Sequence, residues 1–236
     1  GYEYFVIDAG WFGEFTLRSG TIYPTEKHAK KIKFNEYGLL QPSDTYFPNG
    51  FKPIIDRCHQ LGIKFGVHLM RGIPRAAVDA NVPIKGTKYF AQDIADKNSI
   101  CVWNSQNYGV DMKKPGAQEF YDSLIKQLAD WGVDFIKYDD IVPFPEEIKG
   151  VANAIAKSGR PMILSLSPGG DVNPDYLDAF QRAHMLRVTP DIWDDQKGID
   201  DWFDLVTKGM NDLPKAELKQ KWGTIQKILS TKDRLQ

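Results

Sequence analysis

Apolar and polar positions repeat along this chain as one recurring unit. Three times an amphipathic stretch ends at a glycine and a short apolar run begins at once: HQLGIKFGVHL at 59–69, ADWGVDFIKYDD at 129–140 and AKSGRPMILSLS at 156–167. Gly62, Gly132 and Gly159 each stand where a helix must turn left-handed to stop. The spacing predicts a helical face of Ile54, Cys58 and Leu61 before the first glycine, and one of Phe120, Leu124, Leu128 and Trp131 before the second. Pro53, Pro115 and Pro145 lie near the helix starts, where a missing N–H costs nothing.

Helices alternating with β-rich apolar runs predict parallel βαβ units and an α/β fold. The runs at 4–11 and 183–191 bring the candidate strands to five. Polar residues gather at their C-terminal ends: Asp8, His68 to Arg71, Lys137 with Asp139, Ser165 with Ser167, and Arg187 with Asp191. Such gathering suits the mouth of a (β/α)₈ TIM-type barrel, although an open doubly wound sheet would also collect polar ends at its switch point. The barrel is expected to be incomplete, with no first or last strands recognisable. Residues 1–198 are expected to form the catalytic barrel portion, and 199–236 a helical segment packed on it. Two long inserts, 12–49 and 71–114, are expected to build the mouth.

Composition narrows the partners. The 236 residues carry a net charge of −1, which gives no electrostatic reason to expect nucleic acid or an anionic membrane. No apolar run approaches the roughly 18 to 20 residues of a membrane span, and no signal-peptide pattern is visible. The compartment stays open, with a cytoplasmic location favoured over secretion, and so does the oligomeric state. Cys58 and Cys101 form no metal-binding or disulfide pattern. Neither metal nor cofactor is expected.

Side chains alternate along a strand, so Lys137 and Asp139 point the same way, while Asp140 leaves on the other side and suits a cap for the next loop. A lysine two residues from a carboxylate keeps it ionised, as a nucleophile requires; a structural ion pair reads equally well. A second carboxylate is offered by RVTPDIWDD at 187–195. Two carboxylates from different strands suit glycoside hydrolysis. Asp194, Asp195, Asp200 and Asp201 leave open a metal-dependent lyase or isomerase, and a non-catalytic sugar-binding barrel fragment is a further alternative.

The blocks YFVIDAGW, FPNGFKPIID with GIKFGVH, WGVDFIKYDD, LSLSPG and LRVTPDIWD, over residues 2–195, resemble glycoside hydrolase family 27, the melibiase-type α-galactosidases and α-N-acetylgalactosaminidases. The resemblance implies a (β/α)₈ catalytic domain, a carbohydrate substrate and a retaining, metal-free mechanism. By the same resemblance Asp139 matches the nucleophile and Asp191 the acid/base. Lys137 matches a lysine at the sugar hydroxyls, and Arg187 the arginine beside the acid/base. Asp8 matches the first of two aspartates that bind O4 and O6 of galactose; the second is Ala9 here. His68 replaces a family tyrosine. Ser167 and Gly170 stand where α-N-acetylgalactosaminidases keep small residues, which leans the expectation towards an N-acetylgalactosaminide. Trp11 and Trp103 complete the substrate-binding candidates.

Overall fold

A computed structural model describes residues 1–13, 32–168, 172–187 and the single positions 191, 196, 197 and 200. Within them, five strands form one parallel sheet, the arc of a (β/α)₈-type barrel: β1 (Tyr4–Ile7), β2 (Lys64–Met70), β6 (Phe135–Asp139), β7 (Ile163–Leu166) and β8 (Met185–Leu186), adjacent in that order. Register is continuous, with His68 opposite Lys137, Met70 opposite Asp139 and Tyr138 opposite Leu166. All five strands are those marked by the apolar runs. The last is much shorter than the apolar run at 183–191: it stops before Arg187, and Asp191 lies beyond it.

Connecting helices pack on one face of the arc: α1 (Lys52–Gln60), α4 (Ala117–Trp131) and α5 (Pro145–Ser158). Gly62, Gly132 and Gly159 all take positive φ, as the sequence required. After α4 the N–H groups of Gly132 and Val133 return to the carbonyls of Ala129 and Leu128, closing the last turn and delivering the chain directly to β6. Ile136 and Tyr138 of β6 and Leu164 and Leu166 of β7 are fully buried, in one core with Leu124, Leu128, Ile148 and Val151. The α4 face is the expected one. On α1 it is rotated: Ile55 and Cys58 are buried, whereas Leu61, at the exposed turn into Gly62, is 56% exposed.

The insert at 71–114 holds structure that the apolar pattern did not mark. β3 (Ile73–Pro74), β4 (Ala95–Ile100) and β5 (Asn107–Val110) form an antiparallel sheet in the order β3-β5-β4, with short helices α2 (Arg75–Asp79) and α3 (Ala91–Ile94) between β3 and β4. A further short helix, α6 (Leu177–Phe180), precedes β8. The expected helical segment at 199–236 lies outside the described residues except for Asp200.

Candidate active site

The parallel register brings the strand-end residues together. Strands β1, β2, β6, β7 and β8 present Asp8, His68, Lys137 with Asp139, Ser167 and Arg187 at or just past their C-terminal ends. Pairing continues for one more residue beyond the strands: Ser167 N–H donates to Tyr138 O, and Arg187 N–H to Leu166 O, each at 3.0 Å.

Asp139 is the centre of the group and is 8% exposed. His68 Nε2 lies 2.8 Å from its Oδ2, and Lys137 Nζ lies 3.6 Å from the same oxygen. Lys137 also donates to both oxygens of Asp8, at 3.0 and 3.2 Å. Burial alone would raise the Asp139 carboxyl, but hydrogen bonding and charge from His68, the nearby Ser167 hydroxyl and the Lys137 ammonium outweigh it and hold the pKa at about 2. Ser167 Oγ is buried and falls short of full hydrogen-bond geometry. Asp8 is lowered as well, burial again being outweighed, here by Lys137 and His68.

The adjacent Asp140 has the opposite character. It adopts the left-handed conformation, φ 61°, and pairs with Arg71 through Nε and Nη2, both 3.0 Å from Oδ2. Its expected role as a simple loop cap is therefore replaced by a partly buried ion pair. Arg71 Nη1 reaches Glu147 Oε1 at 2.7 Å, and Glu147 in turn accepts from the Tyr121 hydroxyl and the Val110 N–H. Burial outweighs the arginine at Asp140 and Glu147 and raises both carboxyls. Of two consecutive aspartates, only Asp139 is driven towards ionisation. Sequence reasoning missed the Arg71–Glu147 link, whose partners are 76 residues apart.

One candidate lies elsewhere than expected. Trp11 is a core residue, 2% exposed, because its ring is wedged among Phe12, Phe51 and Trp131. Its Nε1–H is committed to His68 O at 2.7 Å, so it supports the strand end from behind. Trp103 is half-buried in the β4–β5 connection, beside the buried Cys101. Arg187 donates to Asp191 Oδ1 at 2.6 Å, while its Nε and Nη2 are buried without a partner among the described residues. Asp191 itself is exposed, and Gly170 lies outside the described residues, as do Asp194, Asp195 and Asp201.

Among the described residues no group of three or more His, Cys, Asp or Glu is placed to hold a metal ion, and no helix is long and apolar enough to cross a membrane. A cavity of about 480 Å³ between α4 and α5, lined by Gln127, Trp131 and Lys157 among others, shares no residue with the strand-end group.

A family model described as alpha galactosidase A matches residues 74–230. Alpha-galactosidase 3 of Hypocrea jecorina is 31% identical over 71% of this chain and 25% of its own length; alpha-galactosidase A of Cellvibrio japonicus is 28% identical over 82% and 35%. Among solved structures, a GH27 β-L-arabinopyranosidase from Geobacillus stearothermophilus in complex with arabinose is 44% identical, with a TM-score of 0.77 over 86% of this chain and 49% of that one. A proposed α-N-acetylgalactosaminidase of Bacillus halodurans is 41% identical, with a TM-score of 0.67 over 86% and 48%. The chain thus spans about a third of the length of the curated relative from Cellvibrio and about half of the solved ones. The family model covers more than half of this chain, and the solved relatives share its fold: the chain belongs to the melibiase-type α-galactosidase family, glycoside hydrolase family 27.

Proposed function

We propose that this chain carries the catalytic centre of a retaining exo-glycosidase for terminal galacto-configured sugars, with β-L-arabinopyranosides as the preferred class. The observation that carries the reading is the Asp139 carboxylate, nine-tenths buried yet held ionised by His68 and Lys137 at the end of β6. A buried ionised carboxylate is costly unless its neighbours hold it in that state, and a carboxylate nucleophile needs that charge. Asp139 attacks the anomeric carbon as Asp191 protonates the departing oxygen. Water activated by Asp191 then releases the sugar from the ester. Lys137 and Asp8, joined at 3.0 Å, offer a donor and an acceptor to neighbouring ring hydroxyls.

Ala9 and the Geobacillus relative support the choice of sugar. β-L-Arabinopyranose has the configuration of α-D-galactose from C1 to C4 but lacks the C6 hydroxymethyl. Ala9, in place of the second family aspartate, removes a partner that a pentopyranose does not require. A second reading, an N-acetylgalactosaminide, draws on the small side chain of Ser167 and on the Bacillus halodurans relative.

The test is turnover of 4-nitrophenyl β-L-arabinopyranoside, α-D-galactopyranoside and N-acetyl-α-D-galactosaminide by the full-length protein. The first should give a kcat/KM at least about tenfold above the others, since one substituent on the ring is worth about 1–3 kcal/mol. The highest value on the third would support the second reading. Asp139→Asn should lower kcat by about 10³-fold or more without unfolding the protein. Undiminished turnover in that variant would end the assignment, and binding without hydrolysis by the unmodified protein would favour a sugar-binding role.

A further inference from the structure

We propose that His68 is a positioning residue for the nucleophile rather than a sugar contact: through Nε2–H it fixes Oδ2 of Asp139 as the non-attacking oxygen and stabilises the carboxylate that departs when the glycosyl-enzyme is hydrolysed. The inference rests on the reading of Asp139 as nucleophile.

Three observations carry it. His68 is 1% exposed, so its ring is shut off from an incoming ligand while its Nε2 sits 2.8 Å from Oδ2. An ionised carboxylate can only accept, so the proton of this contact resides on Nε2. The ring has no other anchor: Nδ1 is buried without a partner, and Asp139 is the sole polar group that holds the imidazole among the described residues. Finally, the backbone beneath it is fixed from both sides, by the Trp11 Nε1–H on His68 O at 2.7 Å and by the register that sets His68 against Lys137. Lys137 Nζ approaches the same oxygen at 3.6 Å, so both nitrogen donors converge on Oδ2 and direct the reaction to Oδ1.

The two chemical steps use this arrangement unequally. In the first, an Oδ1 lone pair forms the bond to the anomeric carbon, and the glycosidic C–O pair leaves on the aglycone oxygen with the proton of Asp191. In the second, water bonds to the anomeric carbon and yields its proton to Asp191, while the ester C–O pair returns to Asp139. Charge withdrawn from Oδ2 in the first step reappears there in the second. A fixed donor at Oδ2 therefore makes the carboxylate a better leaving group but a less basic attacker. Its removal must slow deglycosylation more than glycosylation.

The experiment compares the full-length protein with His68→Phe and His68→Gln on an activated aryl glycoside. His68→Phe should lower kcat about 100-fold and KM with it, leave kcat/KM within about tenfold, and accumulate a glycosyl-enzyme visible by mass spectrometry after acid quench. His68→Gln, which returns an N–H donor, should recover at least about tenfold of the lost kcat and abolish the accumulation. Equal losses in kcat and kcat/KM without a trapped ester would overturn the proposal, as would an insoluble His68→Phe together with a His68→Gln that hydrolyses the ester as slowly as a variant without any donor, His68→Ala. If the unmodified protein hydrolyses the glycoside but a slow fluorinated glycoside never labels Asp139, the nucleophile reading itself fails and takes this inference with it.

Discussion

At the scale of single residues, the site separates two neighbours of identical chemistry. Asp139 and Asp140 are consecutive, yet only the first faces His68, Ser167 and Lys137, and only its pKa is lowered, to about 2. The parity of the strand made this division legible in the sequence, because Lys137 and Asp139 had to share a face. His68 was legible as a residue of interest and not as the partner of Asp139: a strand-end histidine carries no signal for what it touches 71 positions away. The sign of the shift gives a prediction. Because folding depresses this pKa, Asp139 stabilises the fold above the unfolded value near 3.8, and that contribution, about 2 kcal/mol, is lost as pH falls towards 2. A carboxyl ¹³C NMR titration should place the midpoint of Asp139 near 2. A midpoint at or above 3.8 would mean that burial, not the surrounding donors, governs this group.

At the scale of elements, the glycine-terminated helices and the five parallel strands were legible from local rules: a left-handed stop and then an apolar run for β2, β6 and β7, and the apolar run alone for β1 and β8. The antiparallel sheet of the insert was not. ADKNSI of β4 alternates neither in sequence nor in burial, and β3 is only two residues long, so no period marks them. The ion group that joins this sheet to the barrel was equally hidden. Arg71, 3% exposed, ties the end of β2 to Asp140 after β6 and to Glu147 in the first turn of α5, and its guanidinium stacks 3.4 Å from the Phe144 ring centroid. Its backbone N–H also donates to Asp139 O at 3.0 Å. Gly72 and Gly109 make room for this crossing. A side chain on Gly72, at φ 87°, would meet Tyr108 O at 1.9 Å, and one on Gly109 would meet Arg71 Nη1 at 2.5 Å. Replacing Arg71 by Met leaves the buried Glu147 and the partly buried Asp140 without their cation, which should cost about 3–5 kcal/mol. The urea midpoint of Arg71→Met reads this directly. A change below about 1 kcal/mol would show that the group is solvated and not a structural bolt.

At the scale of the whole molecule, the question is whether two carboxylates from distant parts of the chain can act as one retaining pair. The strand order bears on it. β6, which bears Asp139, and β8, which leads to Asp191, are separated by β7 alone. With about 4.8 Å between neighbouring strands, their backbones stand about 10 Å apart. Retention requires the carboxyl groups at about 5–5.5 Å, whereas inversion requires room for a water between them, about 6.5–9.5 Å. Arg187 donates to Asp191 at 2.6 Å, and its Nε and Nη2 are buried without a partner among the described residues. Each carboxylate has a cation beside it, Lys137 at Asp139 and Arg187 at Asp191. The expected outcome is stereochemical. Proton NMR taken within the first turnovers of the full-length protein, before mutarotation, should show the released sugar in the anomeric form of the substrate. The opposite anomer would require a water between Asp139 and Asp191, and Asp139 would then be the base that activates it.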